Sequence, residues 1–226
     1  MTALQRIQEA STLVQGSREW YQAKLGCFSS SGVHALMGTE KAATTYIYKV
    51  AAERNLKEKY RDEYFSEYLK RTSVSSKAME YGKENEDLAR TVYMMKTGNT
   101  IAQCGFIMHP EIPFFGDSPD GIILDESQTR IVGTLEIKVP NPDTYLKYKV
   151  ALKSGVSLKD LESKYYWQIV THVMCNGVEY CDFVVFDKMQ NKGLHIEKIY
   201  VPEFDKEALR RAIEKANNKI SKILNN

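Results

Sequence analysis

The chain has 226 residues, with 31 Lys and Arg against 29 Asp and Glu for a net charge of +2, and 43% of its side chains are hydrophobic. That balance belongs to a globular chain with a core of its own and excludes a disordered, collagenous or coiled-coil polypeptide; the charge is too small to mark a polyanion binder by itself. No apolar run approaches the ~20 residues that span a bilayer, and Met1-Thr2-Ala3-Leu4-Gln5-Arg6 lacks the apolar stretch of a signal peptide, so a cytoplasmic protein without membrane contact is expected.

In chain order, the first hundred residues read as mainly helical. A short helix is predicted around Arg18 to Leu25, one after the Ser29-Ser30-Ser31 cap, and one near Thr45 to Lys57. A charged helical region leads to a helix from about Met79 to Lys96, stopped by Thr97-Gly98-Asn99. The period then changes: Ile101 to Met108, Ile122 to Leu124, Ile131 to Val139, Tyr180 to Asp187 and His195 to Val201 read as short strands of one sheet. A helix from about Leu158 to Cys175 interrupts them, and an amphipathic helix from about Glu203 to Leu224 closes the chain. The pattern predicts a single domain over 1–226 of α/β class, a mixed central sheet flanked by helices. Cys27, Cys104, Cys175 and Cys181 form no CxxC pair and no metal spacing, so they are expected to be reduced, buried thiols.

Chemistry concentrates in Ser118-Pro119-Asp120-Gly121 and Glu136-Ile137-Lys138. If the two strands around a turn near Gln128 pair antiparallel, Asp120 falls opposite Glu136 to within about one residue. Alternation puts Val132, Thr134, Glu136 and Lys138 on one face and Ile131, Gly133, Leu135 and Ile137 on the other. Two carboxylates beside an ammonium suit phosphodiester hydrolysis: hard oxygen ligands for Mg²⁺, the Ile137 carbonyl as a further oxygen, and a cation that orients the attacking water. A solvated surface pair is the alternative.

On the helix from Met79 to Lys96, Lys83, Glu84, Asp87 and Arg90 are expected on the solvent side and Tyr81, Leu88, Val92 and Met95 on the core side. Glu86 shares a face with Met79, Gly82, Ala89 and Tyr93, where an unpaired carboxylate is costly, so it calls for a metal or a salt-bridge partner. Gly82 suggests close approach of another backbone.

Four blocks in order, Tyr81-Gly82-Lys83-Glu84-Asn85-Glu86, Ser118-Pro119-Asp120-Gly121, Leu135-Glu136-Ile137-Lys138 and Tyr166-Trp167-Gln168, resemble the lambda-exonuclease (YqaJ-type) viral recombination nucleases. That family lies within the restriction-endonuclease-like PD-(D/E)xK superfamily. The likeness runs from the opening Gln15-Gly16-Ser17-Arg18-Glu19-Trp20, through Lys24-Leu25-Gly26 and Ser29-Ser30-Ser31, to about Asp187. It implies a restriction-endonuclease-like nuclease fold in which Glu86, Asp120, Glu136 and the Ile137 carbonyl hold Mg²⁺, with Mn²⁺ as a substitute, and Lys138 assists the water. It also implies a 5′-phosphate pocket of Lys24, Ser31 and Ser118, with Gln168 nearby. Lys24 stands where the phage lambda member of that family carries an arginine, keeping the charge without the bidentate fork, and Arg18 is the alternative cation.

The resemblance further implies a 5′-to-3′ exodeoxyribonuclease acting on double-stranded DNA ends, a homotrimer, and a single-strand annealing protein as partner in phage or prophage recombination in a bacterial host. The competing readings are an endonuclease of the same superfamily and a non-catalytic DNA-end-binding scaffold, which gathering three carboxylates disfavours. Lys147, Lys149 and Lys153 are a candidate DNA contact. Both tryptophans are expected to pack in the core, and the basic residues Lys206, Arg210, Arg211, Lys215, Lys219 and Lys222 to form a solvated helix face. The four histidines read as structural, with His172 the one expected to line the site.

Overall fold

The computed structural model describes residues 3–72 and 76–225, with side chains from residue 5 onward. Met1 and Thr2 of the opening stretch lie outside the described residues, as do 73–75 of the charged helical region. The N-terminal part contains α1 (Ala3–Ala10), α2 (Arg18–Ala23), β1 (Phe28–Ser29), a single 3-10 turn at Val33–Ala35, α3 (Glu40–Arg54), α4 (Glu58–Arg61), α5 (Phe65–Thr72) and α6 (Lys77–Thr97). The central part brings β2 (Thr100–Ala102), β3 (Ile107–Met108), β4 (Phe115–Asp117), β5 (Gly121–Leu124) and β6 (Ile131–Lys138). It is followed by α7 (Pro142–Lys153), α8 (Leu158–Leu161), α9 (Ser163–Asn176), β7 (Tyr180–Phe186), β8 (Leu194–Tyr200) and α10 (Glu203–Leu224).

Local chemistry sets many of these boundaries. Ser17, Thr39 and Ser76 cap α2, α3 and α6 by accepting the backbone N–H three residues on, and α6 ends at Gly98, whose φ of 73° is the left-handed conformation glycine adopts freely. After Ser29-Ser30-Ser31 the expected helix is only the 3-10 turn, because Phe28 and Ser29 are drawn into a parallel pairing with Phe115 and Gly116. The helix expected over Leu158 to Cys175 is broken at Glu162, whose φ of −154° and ψ of 81° are not helical.

The expectation of one sheet is corrected to two. Among the described residues, β2, β5, β6, β7 and β8 form a five-stranded sheet in that order, and β1, β4 and β3 form a separate three-stranded one. The stretch Ile101 to Met108 splits between them, because Cys104 and Gly105 turn under α1. In the larger sheet β6 and β7 are parallel and the other pairs antiparallel, so the sheet is mixed and the β6-to-β7 crossover carries α7, α8 and α9.

Helices cover both faces of this sheet. Phe183 and Val185 of β7 pack with α3, α7, α9 and α10 in the main core, whereas Leu135, Ile137, Val184 and Phe186 point the other way, onto Ala89 and Tyr93 of α6. The core side of α6 is therefore only in part the one the apolar stripe predicted: Val92 packs against the core. Leu88 and Met95 are solvent-facing, and Asn85, Ala89, Arg90 and Tyr93 are buried. Tyr93 decides the orientation: its phenol donates to Asp182 Oδ2 at 2.6 Å and accepts from Asn99 Nδ2 at 2.7 Å. The Gly82 expectation also fails, since a Cβ placed there meets nothing within 4 Å.

Tyr93 and Asp182 thus pin the Glu86-bearing helix to the sheet. Tyr93→Phe leaves Asp182 buried with only Lys198 Nζ at 3.0 Å, and the expected destabilisation is about 1–3 kcal/mol by urea unfolding. A change of no more than a few tenths would show that packing alone holds α6.

Candidate active site

The β5–β6 hairpin fixes the first two carboxylates. Gly121 pairs with Leu135, Ile122 with Thr134 and Ile123 with Gly133, before a bulge brings Leu124 opposite Ile131. Asp120, one residue before the ladder, therefore stands opposite Glu136, and its Oδ2 accepts the Ile137 N–H at 2.7 Å. The turn is centred where the spacing predicts, with Gln128 at φ 57° and Asp125 Oδ1 accepting the N–H groups of Thr129 and Arg130. Such a local register leaves little freedom in where Asp120 falls.

Glu136 has no exposed surface. Burial alone would raise its pKa, but Lys138, ion-paired to Oε1, and His172, at 2.7 Å from Oε2, outweigh it and hold the carboxyl below its ordinary value. Lys138 reciprocates: burial would strip its proton, yet Glu136 and Asp120 push its pKa upward, so it stays an ammonium. Tyr165 supports it from α9, with Lys138 Nζ 4.7 Å from the ring centroid.

Glu86 reaches the same cluster from α6. Arg90 answers its need for a cation, pairing with both Glu86 and Asp87 and donating from Nε to the Asp120 carbonyl at 2.9 Å. Arg90, expected on the solvent side, is buried for that reason. Burial, ahead of the Arg90 attraction and the Glu136 repulsion, raises the pKa of Glu86.

Asp120 is the carboxylate left over. Among the described residues it takes part in no ion pair; burial first, then Glu136 and Glu86, raise its pKa well above the ordinary range. No three His, Cys, Asp or Glu side chains among the described residues are already drawn together as a metal cage. The donor set nonetheless fits a hard divalent cation, since Asp120 takes part in no ion pair among the described residues while the Glu136 and Glu86 carboxylates raise its pKa, so oxygen ligands of like charge converge there.

His172 is the residue whose importance the sequence understated. It is fully buried on α9, one turn after Gln168, with Nδ1 2.7 Å from Asp117 Oδ1 and Nε2 2.7 Å from Glu136 Oε2. Ionised carboxylates only accept, so both ring nitrogens donate and the ring is an imidazolium. Burial would lower its pKa, but Asp117 and Glu136 push it up to about 10. Asn176 Nδ2 completes the group by donating to Asp117 Oδ2 at 3.1 Å. The other histidines lie elsewhere: His109 Nδ1 accepts the N–H groups of Glu111 and Ile112, and His195 sits 3.4 Å from Glu197.

A second corner is built on Trp20, which sequence reasoning assigned to the core. Its Nε1 donates to Ser118 Oγ at 2.8 Å, and Lys24 Nζ lies 4.1 Å from its ring centroid. Trp167 is buried in the core. Burial and then Lys49 lower the Lys24 pKa to about 8, so an anion there would gain a cation that is held at a cost. Ser118 joins this corner to Asp120, two residues on.

Ser31 is exposed after β1 with its Oγ 3.5 Å from Ser29 Oγ, and no described hydrogen bond brings it to Lys24 or Ser118. Gln168 shares the α9 face of Tyr165 and His172 by helical spacing. Arg18 is turned away to Asp62. Of the α7 lysines, Lys149 is held by Tyr145 Oη and the Lys192 carbonyl, while Lys147 and Lys153 are exposed.

Residues 19–179 match the YqaJ-like viral recombinase domain. The chain belongs to this family. Among solved structures, LHK-Exo, an alkaline exonuclease from Laribacter hongkongensis, matches with a TM-score of 0.75 at 26% identity, over 92% of this chain and 95% of that one. It has also been solved in complex with dAMP. A phage-related exonuclease from Haemophilus somnus 129PT shares the fold, with a TM-score of 0.62 at 12% identity over 88% and 95% of the two chains. No curated protein sequence matches the chain. This YqaJ-like protein is thus a nuclease of the alkaline exonuclease type with the restriction-endonuclease-like fold.

The Asp120 environment has a consequence for stability. A raised folded-state pKa means that the ionised carboxylate destabilises the fold, a cost absent below about pH 4, where it is protonated in both states, and growing as pH rises above that value. Asp120→Asn, whose side-chain oxygen still accepts the Ile137 N–H, is therefore expected to raise the melting temperature of metal-free protein by a few degrees at pH 8 and not at pH 4, while removing activity. A variant that melts lower at pH 8 would contradict the strained-carboxylate reading.

Proposed function

We propose that this protein is a Mg²⁺-dependent 5′-to-3′ exodeoxyribonuclease on linear double-stranded DNA, releasing mononucleotides and leaving 3′ single-stranded tails. The observation that carries the proposal is the approach of Glu86, Asp120 and Glu136 to one another beside Lys138, with the Trp20–Lys24–Ser118 corner attached through the Ser118-Pro119-Asp120 loop.

Glu86, Asp120, Glu136 and the Ile137 carbonyl would hold the divalent ion, which supplies Lewis-acid stabilisation of phosphoryl charge and a more acidic bound water. Lys138, kept protonated by Glu136 and Asp120, acts as a fixed positive donor that orients the attacking water and faces developing charge. Water adds to phosphorus, the bond to the O3′ leaving group breaks, and that oxygen takes up a proton. The released product is a 5′-mononucleotide, the chemical class of the dAMP found with LHK-Exo. The shortened strand again carries a 5′-phosphate, which re-enters the corner where Lys24 supplies charge and the Ser118 hydroxyl is aligned by Trp20. Ser31 and Gln168 would border the same pocket.

The proposal extends to a single domain over 1–226, assembled as a homotrimer, working with a single-strand annealing protein in recombination of phage or prophage origin. Its place is the cytoplasm of a bacterial host; among the described residues no helix is long and apolar enough to cross a membrane.

Lys138→Ala is expected to slow Mg²⁺-dependent loss of linear duplex by about 10²–10³-fold, with EDTA stopping the wild type and covalently closed circular DNA left intact. Cutting of the circle would instead indicate an endonuclease, and binding of ends without hydrolysis a scaffold. Lys24 gives a separate signature, since its cation is half-titrated at about pH 8, nearly complete a unit below and largely lost a unit above. The rate advantage of 5′-phosphorylated over 5′-hydroxyl ends should shrink between pH 7 and 9 in the wild type and be small at both in Lys24→Gln. An advantage that is unchanged in Lys24→Gln would remove this lysine from the pocket.

A further inference from the structure

Glu136 is gripped at both oxygens, Oε1 by Lys138 and Oε2 by His172. The second grip is itself anchored: Asp117 holds the other side of the imidazole, and Asn176, one turn along α9, donates to Asp117 and, at 2.8 Å, to the His172 carbonyl. Asp117, Glu136, His172 and Asn176 are all buried and come from three elements, β4 of the smaller sheet, β6 of the larger one and α9 between them. We infer that His172 is a positioning residue that, braced by Asp117, fixes the carboxylate plane of Glu136 so that Oε1 alone is turned to the reaction centre.

The terminal torsion of a glutamate is broad and roughly two-fold, so packing alone does not choose which oxygen faces a ligand. A doubly anchored ring does choose, because rotating Glu136 would break the 2.7 Å contact of its Oε2 with His172 Nε2 where both side chains are fully buried. Asp117 also precedes Asp120 by three residues, so the same brace ties the loop bearing one carboxylate to the strand bearing the other. This inference rests on the reading of Glu136 as a cation ligand. It adds to that reading a supporting group whose loss should weaken ion binding rather than DNA binding.

The test uses the full chain as wild type, His172→Gln and Asp117→Asn. Asp117→Asn leaves the His172 contact with Glu136 in place and removes only its outer charge, so it remains informative if His172→Gln does not fold. Mn²⁺ affinity is measured by calorimetry without DNA, folding by thermal melting, and linear-DNA digestion across a Mg²⁺ series. The expected result is a Mn²⁺ Kd weaker by about 10–100-fold in His172→Gln and by less in Asp117→Asn, with KM for DNA ends nearly unchanged and lost kcat recovered at high Mg²⁺. Folded variants that bind Mn²⁺ as the wild type does, or whose kcat is not restored by Mg²⁺, would overturn the positioning role. A wild type that binds no Mn²⁺ and digests no DNA would defeat the proposed function itself, a result distinct from unchanged affinity in the variants.

Discussion

Glu136 is an ionised carboxylate with no access to water, and the architecture around it follows from keeping it charged. A carboxylate transferred alone into such a space would take up a proton. Here Lys138 and His172 approach opposite oxygens, and Asp117 balances His172 from beyond, so negative and positive groups alternate along a buried line. Removing one partner would strand a charge, which is how a buried network enforces a single geometry.

That line leaves one deficit, at Asp120. Arg90 has gone to Glu86, Lys138 to Glu136 and His172 to the pair behind it, while Asp120 has a backbone N–H as its fixed partner. The strain is local, and a divalent cation held among these oxygens as proposed would relieve Asp120 and Glu86 together. Under the proposed function, stability and activity are opposed at this position, as they commonly are where a fold holds a charge in readiness for a ligand. The mixed sheet makes this possible: the parallel β6–β7 pair puts a helical crossover between them, and α9 of that crossover lays Tyr165 and His172 along the Glu136 and Lys138 face of β6.

What the sequence disclosed is what local periodicity encodes. The alternation in Ile131 to Lys138 and the turn near Gln128 were enough to put Asp120 opposite Glu136, because an antiparallel hairpin closes over few residues. The long amphipathic α10 was legible for the same reason. The brace behind Glu136 was not, since His172 lies 55 residues from Asp117 and 36 from Glu136 in the chain, and neither contact leaves a mark in a local window. The orientation of α6 was misread because apolar count favoured Leu88 and Met95, whereas a phenol bonded to a buried aspartate and an arginine drawn in by carboxylates determined it. Strand β4, three residues from Phe115 to Asp117, is too short to show alternation, so the second sheet and the carboxylate it delivers went unseen. On α7 the lysines stood out as charge, although Tyr145, Tyr148 and Leu152 bury its other side.

Family membership, the shared fold and the site's own electrostatics lead to one picture: an exonuclease-type protein whose buried carboxylates converge beside a lysine. The space bounded by Glu86, Asp120, Glu136 and the Ile137 carbonyl is proposed to hold a divalent cation. The most direct measurement is a crystal structure of the protein soaked in Mn²⁺, read by anomalous scattering. A peak is expected within coordination distance of Asp120 and Glu136, with Glu86 released in part from Arg90. A well-ordered site with no peak, or with Mn²⁺ bound only elsewhere, would contradict it.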